Sequence, residues 1–195
     1  MYFMKDKKEA YICVRKKVRA GEDKLKLFED YKESVGEKGL ANLLAVYPDR
    51  DLDLKFNSLN KLLLGALIVV TILKLLSILE LSLGGMSIKA VLAISAFGLA
   101  INGVAIYAIY IKHVLAYRIV ALFCLQGITK VFEPSLIGQY SSIFDWVWLG
   151  VSLICLVVII WLGFSLPKKM FPYHGWFKPK EQKNGTPMFT VAQMP

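Results

Sequence analysis

Apolar and polar positions divide this chain into two kinds of segment. Before residue 62, apolar residues recur at helical spacing among dense charge; after it, long apolar runs alternate with short polar breaks. A helix needs about 20 predominantly apolar residues to cross a hydrocarbon core. Four stretches reach that length: about 62–83 (LLLGALIVVTILKLLSILELSL), 87–111, 114–132 and 143–166. The third is the weakest, because it carries Arg118, Gln126 and Lys130. The pattern predicts an all-α fold, an integral membrane four-helix transmembrane bundle within residues 59–167. A small cytoplasmic, mostly helical region (1–58) precedes it, and a cytoplasmic basic, aromatic tail (168–195) follows.

In the N-terminal region, GEDKLKLFEDYKESV places Leu25, Phe28, Tyr31 or Lys32, and Val35 on one helical face. Gly36 punctuates it, GLANLLAV supplies a second short apolar face, and Pro48 ends that one. The YICV run at Tyr11–Val14 suits either a short strand or part of an earlier helix. About 60 residues seldom build a robust core alone. The expected support is the membrane surface, further copies or a partner. In the tail, Asn184–Gly185 suits a tight hairpin turn. That segment reads either as a flexible basic tail or as an ordered cap, with Trp176 and Phe177 at the headgroups and Lys178 and Lys180 on phosphates.

Composition agrees with a membrane class: 56% of residues are hydrophobic and only 20% charged. The first long apolar run begins after Lys61, so the first span is expected to act as the insertion signal. The net charge of +9 raises the question of nucleic acid, but acids interleave with the N-terminal Lys and Arg and leave no pure basic stripe. Positive charge beside apolar spans is the ordinary topogenic signal and also attracts anionic headgroups. Lys and Arg crowd the region before the first span, the second connection (Lys112, Arg118) and the tail (Lys168, Lys169, Lys178, Lys180, Lys183). The opposite segments, SLGGMS and EPSLIGQYSSIFD, carry none. The expectation is therefore a multi-pass protein with N-in and C-in topology, in a bacterial inner membrane. Trp146 and Trp161 mark the two ends of the last span, and with Lys168, Lys169 and Trp176 they are the expected headgroup anchors.

Candidate chemistry is sparse. Lys74 sits near the middle of the first span, where an ammonium is costly and usually marks a function. Glu80, six residues on, lies on a different face. Asn102 and Gln126 are the remaining polar candidates, so a Lys74–Asn102–Gln126 intramembrane cluster is the working expectation. Lys89, Lys130, Glu133 and Asp145 are placed to form far-side ion pairs. Ala96, Ala100 and Gly103, in a small-residue stripe of the second span, allow close helix packing.

Enzyme readings lack an inventory. His113 and His174 have no carboxylate at catalytic or metal-ligand spacing, and no phosphate loop, GxSxG or Cys/His ligand spacing occurs. No cofactor is implied. The expected function is a non-catalytic integral membrane subunit, anchor or sensor that oligomerises or docks a cytoplasmic protein partner. A bacterial defence or immunity component is one form of it. The alternative is a small oligomeric ion channel or transporter using the intramembrane polar residues.

Overall fold

The computed structural model describes residues 2–83, 87–131 and 143–194. Among these lie seven α-helices: α1 (Tyr2–Arg19), α2 (Lys24–Val35), α3 (Glu37–Ala45), α4 (Arg50–Leu83), α5 (Ile88–Tyr110), α6 (Val114–Val131) and α7 (Ile143–Met170). A short 3-10 turn at Val191–Gln193 follows. YICV is helical, inside α1. Glu133 and the side chain of Lys130 lie outside the described residues, and with them that part of the far-side pairing.

Three helical stretches are long and apolar enough to cross a membrane: Glu37–Ile78, Ile88–Tyr110 and Asp145–Met170. The third expected span falls short by this measure. Its apolar part is only Val114–Ile128, within a helix of 18 residues. The chain is thus an all-helical membrane protein with three helices of spanning length and one shorter apolar helix.

The chain divides into two compact units. The first comprises Met1–Asn57, Ile111–Leu115 and Ser165–Pro195; the second comprises Ser58–Tyr110 and Ala116–Phe164. The two terminal segments, expected as separate regions, fold together. The support that the N-terminal helices needed comes from the chain's own tail.

In the first unit, Val14 and Val18 of α1, Leu27 and Val35 of α2, and Leu40 and Leu44 of α3 are buried together with Leu166, Met170, Phe171, Tyr173 and Phe189 from the chain's far end. Asp23 caps α2 by accepting a hydrogen bond from the Leu25 N–H at 3.0 Å. The buried face of α2 includes Phe28, Tyr31 and Val35 as expected but differs at its start. Leu25 is 42% exposed, whereas Lys24 and Leu27 are buried. The face runs 24, 27, 28, 31, 35, which turns Leu25 outward. The tail is ordered: Phe189 stacks on Phe28 with ring centroids 4.8 Å apart. Asn184–Gly185 does form a tight turn. Gly185 takes φ +76°, a region that favours glycine, and the Asn184 side chain accepts from the Thr186 N–H at 3.0 Å.

In the second unit, most of the first half of α6 is buried, whereas Ile119, Leu122, Phe123 and Leu125 are exposed. Ala116, Tyr117, Arg118, Val120 and Ala121 are all buried, whereas most of α5 is exposed. A Cβ at Gly163 of α7 would lie 2.7 Å from the Ala121 Cβ and 2.8 Å from the Tyr117 carbonyl oxygen. The α6 and α7 backbones therefore touch where only glycine fits. On the side toward α4, the Tyr117 hydroxyl donates to Asn60 Oδ1 at 2.7 Å, with both residues buried. Arg118 lies on that buried part of α6, 7% exposed, where it meets side chains rather than the surroundings of the helix.

Candidate functional site

A buried ammonium with four oxygen partners belongs to Lys24, in the first unit. Lys24 opens α2 and is 5% exposed. Its ammonium donates to the carbonyl oxygens of Tyr47 (2.6 Å) and Phe189 (2.8 Å) and to the hydroxyl of Tyr173 (2.7 Å). It also pairs with Asp49 Oδ1 at 2.8 Å, an ion pair rather than a well-aligned hydrogen bond. The Tyr173 hydroxyl in turn donates to the Tyr47 carbonyl at 2.6 Å. The other Asp49 oxygen accepts from the Thr190 hydroxyl (3.0 Å) and the Val191 N–H (2.8 Å). One cation and one carboxylate thus join α2, the α3–α4 connection and the tail, across 165 residues of sequence in the longest link to Lys24.

Burial dominates the electrostatics. It lowers the Lys24 pKa from 10.5 to about 8, and Asp49 opposes that shift. Burial also raises the Tyr173 hydroxyl well above its ordinary value, aided by the Asp49 charge. At neutral pH the group is an ammonium, and each of its hydrogens faces an oxygen acceptor. Breaking a buried pair of this kind is strongly unfavourable, because the remaining charge keeps its desolvation penalty.

Around the node, a second ion pair joins Lys112 to Asp53 at the start of α4. Lys112 holds φ +57°, a conformation that disfavours a residue with a Cβ, so the pair steadies a strained turn between α5 and α6. Next to it, burial and the charges of Arg15 and Arg19 keep the His113 pKa below its ordinary value. On α1, Cys13 Sγ meets the Tyr31 hydroxyl at 3.4 Å, and Lys17 lies over the Tyr31 ring. Among the described residues no three His, Cys, Asp or Glu side chains gather closely enough to hold a metal ion.

Of the expected site residues, Lys74 and Gln126 are exposed on α4 and α6, and Asn102 is half-buried on α5. Lys74 does lie near enough to Cys124 of α6 to interact with it electrostatically. Lys89 is exposed and Asp145 half-buried. Ala96, Ala100 and Gly103 are exposed, whereas the adjoining stripe of Ser95, Gly98, Asn102 and Ala105 is half-buried. Trp146, Trp161 and Trp176 are 53%, 59% and 55% exposed, and Lys168 and Lys169 are exposed at the end of α7.

Lys24 escaped the sequence reading because it is one of many Lys and Arg residues in a charged segment. A signal was present: Lys24 stands three, four, seven and eleven residues before Leu27, Phe28, Tyr31 and Val35, at the head of the apolar stripe. No family model, no characterised protein and no solved structure matches this chain.

Proposed function

We propose that this chain is a non-catalytic, multi-pass membrane anchor. In this reading it crosses the bilayer four times with both ends in the cytoplasm, and it uses the first unit to dock a cytoplasmic protein or further copies of itself. A component of bacterial inner-membrane defence or immunity is one form such an anchor would take.

The carrying observation is the Lys24 node. Lys24 touches Phe189 and Asp49 touches Val191, so residues from before the first span and after the last one are in direct contact. An odd number of crossings would set those residues on opposite sides of a bilayer. The turn between α5 and α6 belongs to the same unit through the Lys112–Asp53 pair. In this reading the chain leaves and returns between Asn57 and Ile111, and again between Leu115 and Ser165. This supports counting α6 as a crossing. Its 18 residues give about 27 Å of helix, close to the hydrocarbon thickness. Of the Lys and Arg residues, only Lys61, Lys74, Lys89, Arg118 and Lys130 lie outside the first unit, a bias that favours the cytoplasmic side.

The topology is tested with single cysteines introduced by Lys7→Cys or Lys183→Cys, after Cys13, Cys124 and Cys155 are replaced. Both should react with an impermeant thiol reagent in inverted vesicles and be protected in right-side-out ones. Labelling of the two ends from opposite sides would sink the reading. The docking half fails if the purified protein is a monomer and no partner can be cross-linked to it in its native membrane.

A channel or transporter is the second reading, favoured by the exposure of Lys74 and Gln126 on helices of the bundle. Here Lys74→Leu should alter ion flux in reconstituted vesicles, whereas an anchor's partner binding should not change.

A further inference from the structure

The first turn of the tail is built to hold two aromatic rings outward. An antiparallel bridge between His174 and Pro179 and a 2.8 Å hydrogen bond from the Gly175 N–H to the Lys178 carbonyl close the turn. A Cβ at Gly175 would lie 3.0 Å from that carbonyl oxygen, so the closure is tight. Its base is fixed, because Tyr173 is buried in the Lys24 node and its carbonyl accepts the Lys180 N–H at 2.8 Å. At the tip, Trp176 is 55% and Phe177 71% exposed, with ring centroids 6.3 Å apart. Lys178 and Lys180 are exposed beside them, with Glu181 following.

Exposing two large rings on a firmly based turn opposes the hydrophobic effect unless something covers them. The tether narrows the choice. Trp176 stands only six positions after Met170, the end of a helix long and apolar enough to span a membrane. Fully extended, that tether reaches about 20 Å, so the tip stays close to the level where α7 ends. Indole and phenyl rings next to ammonium groups match the interfacial zone, which is apolar below and anionic above.

We propose that the Trp176–Phe177 turn inserts both rings into the headgroup region of the leaflet on the side of the chain's ends, with Lys178 and Lys180 on anionic phospholipid. This proposal rests on α7 being a bilayer span.

The test uses the full chain in vesicles of phosphatidylcholine, alone or mixed with phosphatidylglycerol. Trp146→Phe, Trp148→Phe and Trp161→Phe together leave Trp176 as the only indole. Its emission should be quenched by lipids brominated high on the acyl chain, less by deeply brominated ones, and shielded from acrylamide. Lys178→Glu with Lys180→Glu should reduce the quenching in mixed vesicles to the level in phosphatidylcholine alone. If acrylamide quenches Trp176 and brominated lipid does not, the proposal is overturned. Shielding from both quenchers overturns it too, because a protein surface then covers the tip. If the triple replacement lowers the Tm, the quenching lost between the wild type and Trp176→Phe reads the same ring. A second chain keeping only Trp161 separates the failures. Bromine quenching of Trp161 without quenching of Trp176 defeats the tip alone, and no quenching of Trp161 defeats the span as well.

Discussion

Lys24 and Lys74 invite opposite expectations from sequence and receive opposite treatment in the fold. Lys74 stands among apolar neighbours and looks expensive, yet its side chain is exposed on α4. Lys24 stands among charged neighbours and looks like a solvated surface residue, yet it is 5% exposed with four oxygen partners. The contrast separates two costs that hydropathy merges. For Lys74 the cost is set by the medium outside the bundle; for Lys24 it is set by the oxygens that the rest of the chain supplies. A charge inside protein is tolerated when its whole coordination is filled, and nothing local to residue 24 reveals who fills it.

The sharpest way to break the comparison is to empty the Lys24 site. Lys24→Met keeps the stem and deletes the charge, leaving Asp49 and two carbonyls in a buried pocket without their donor. The expected loss is about 3–5 kcal/mol, with the tail becoming accessible to limited proteolysis while the spanning helices stay protected. A protected tail would mean that the Phe28–Phe189 stack holds it unaided.

Gly163→Ala tests the second unit by steric means. The added methyl meets the Ala121 Cβ and the Tyr117 carbonyl, and should cost about 1–3 kcal/mol through forced separation of α6 and α7. The effect should appear in unfolding from detergent micelles and leave proteolysis of the tail unchanged.

A smaller effect comes from pH. The Lys24 pKa is depressed to about 8 in the folded chain from 10.5. Between those values the unfolded state binds more protons, so stability rises as pH passes upward through 8. The gain should be about 1 kcal/mol between pH 7 and 9 and should vanish in Lys24→Met. Above pH 10 Tyr173 acts in reverse. Its raised folded-state pKa lets the unfolded tyrosine ionise first, which favours unfolding. A flat profile from pH 7 to 9 would contradict the burial assigned to Lys24.

The smallest response is expected from the residue that looked most costly. Lys74→Leu should leave unfolding unchanged or raise stability slightly, because it removes an ammonium from the exposed side of a long apolar helix. It should not alter the pH profile. A large loss would place an essential partner on Lys74 and favour the channel reading.

Legibility followed the range of the forces involved. The apolar runs were readable because a span is local, and so was the Asn184–Gly185 turn, whose chemistry lies within a few residues. The face of α2 was misjudged because Leu25 and Leu27 are both plausible inward residues, and only the tertiary partners decide between them. Low hydropathy marked α6 as the weakest stretch, and the helix indeed has only a short apolar part; its buried face over residues 116–121 is set by tertiary partners that composition does not show. The Lys24 node was out of reach for a different reason. Its oxygens come from residues 47, 49, 173 and 189, and no sequence periodicity connects them.

The reach of the Phe189 carbonyl back to Lys24 also has a bearing on biogenesis. Residues 171–191 are made after the apolar runs between residues 62 and 166, so α1–α3 wait for about a hundred further residues before their buried ammonium finds its last acceptors. Long-range closure of this kind is slow, and the waiting intermediate exposes an incomplete core. Closure of the first unit therefore comes late, and a chain halted before residue 189 would hold an open Lys24 pocket.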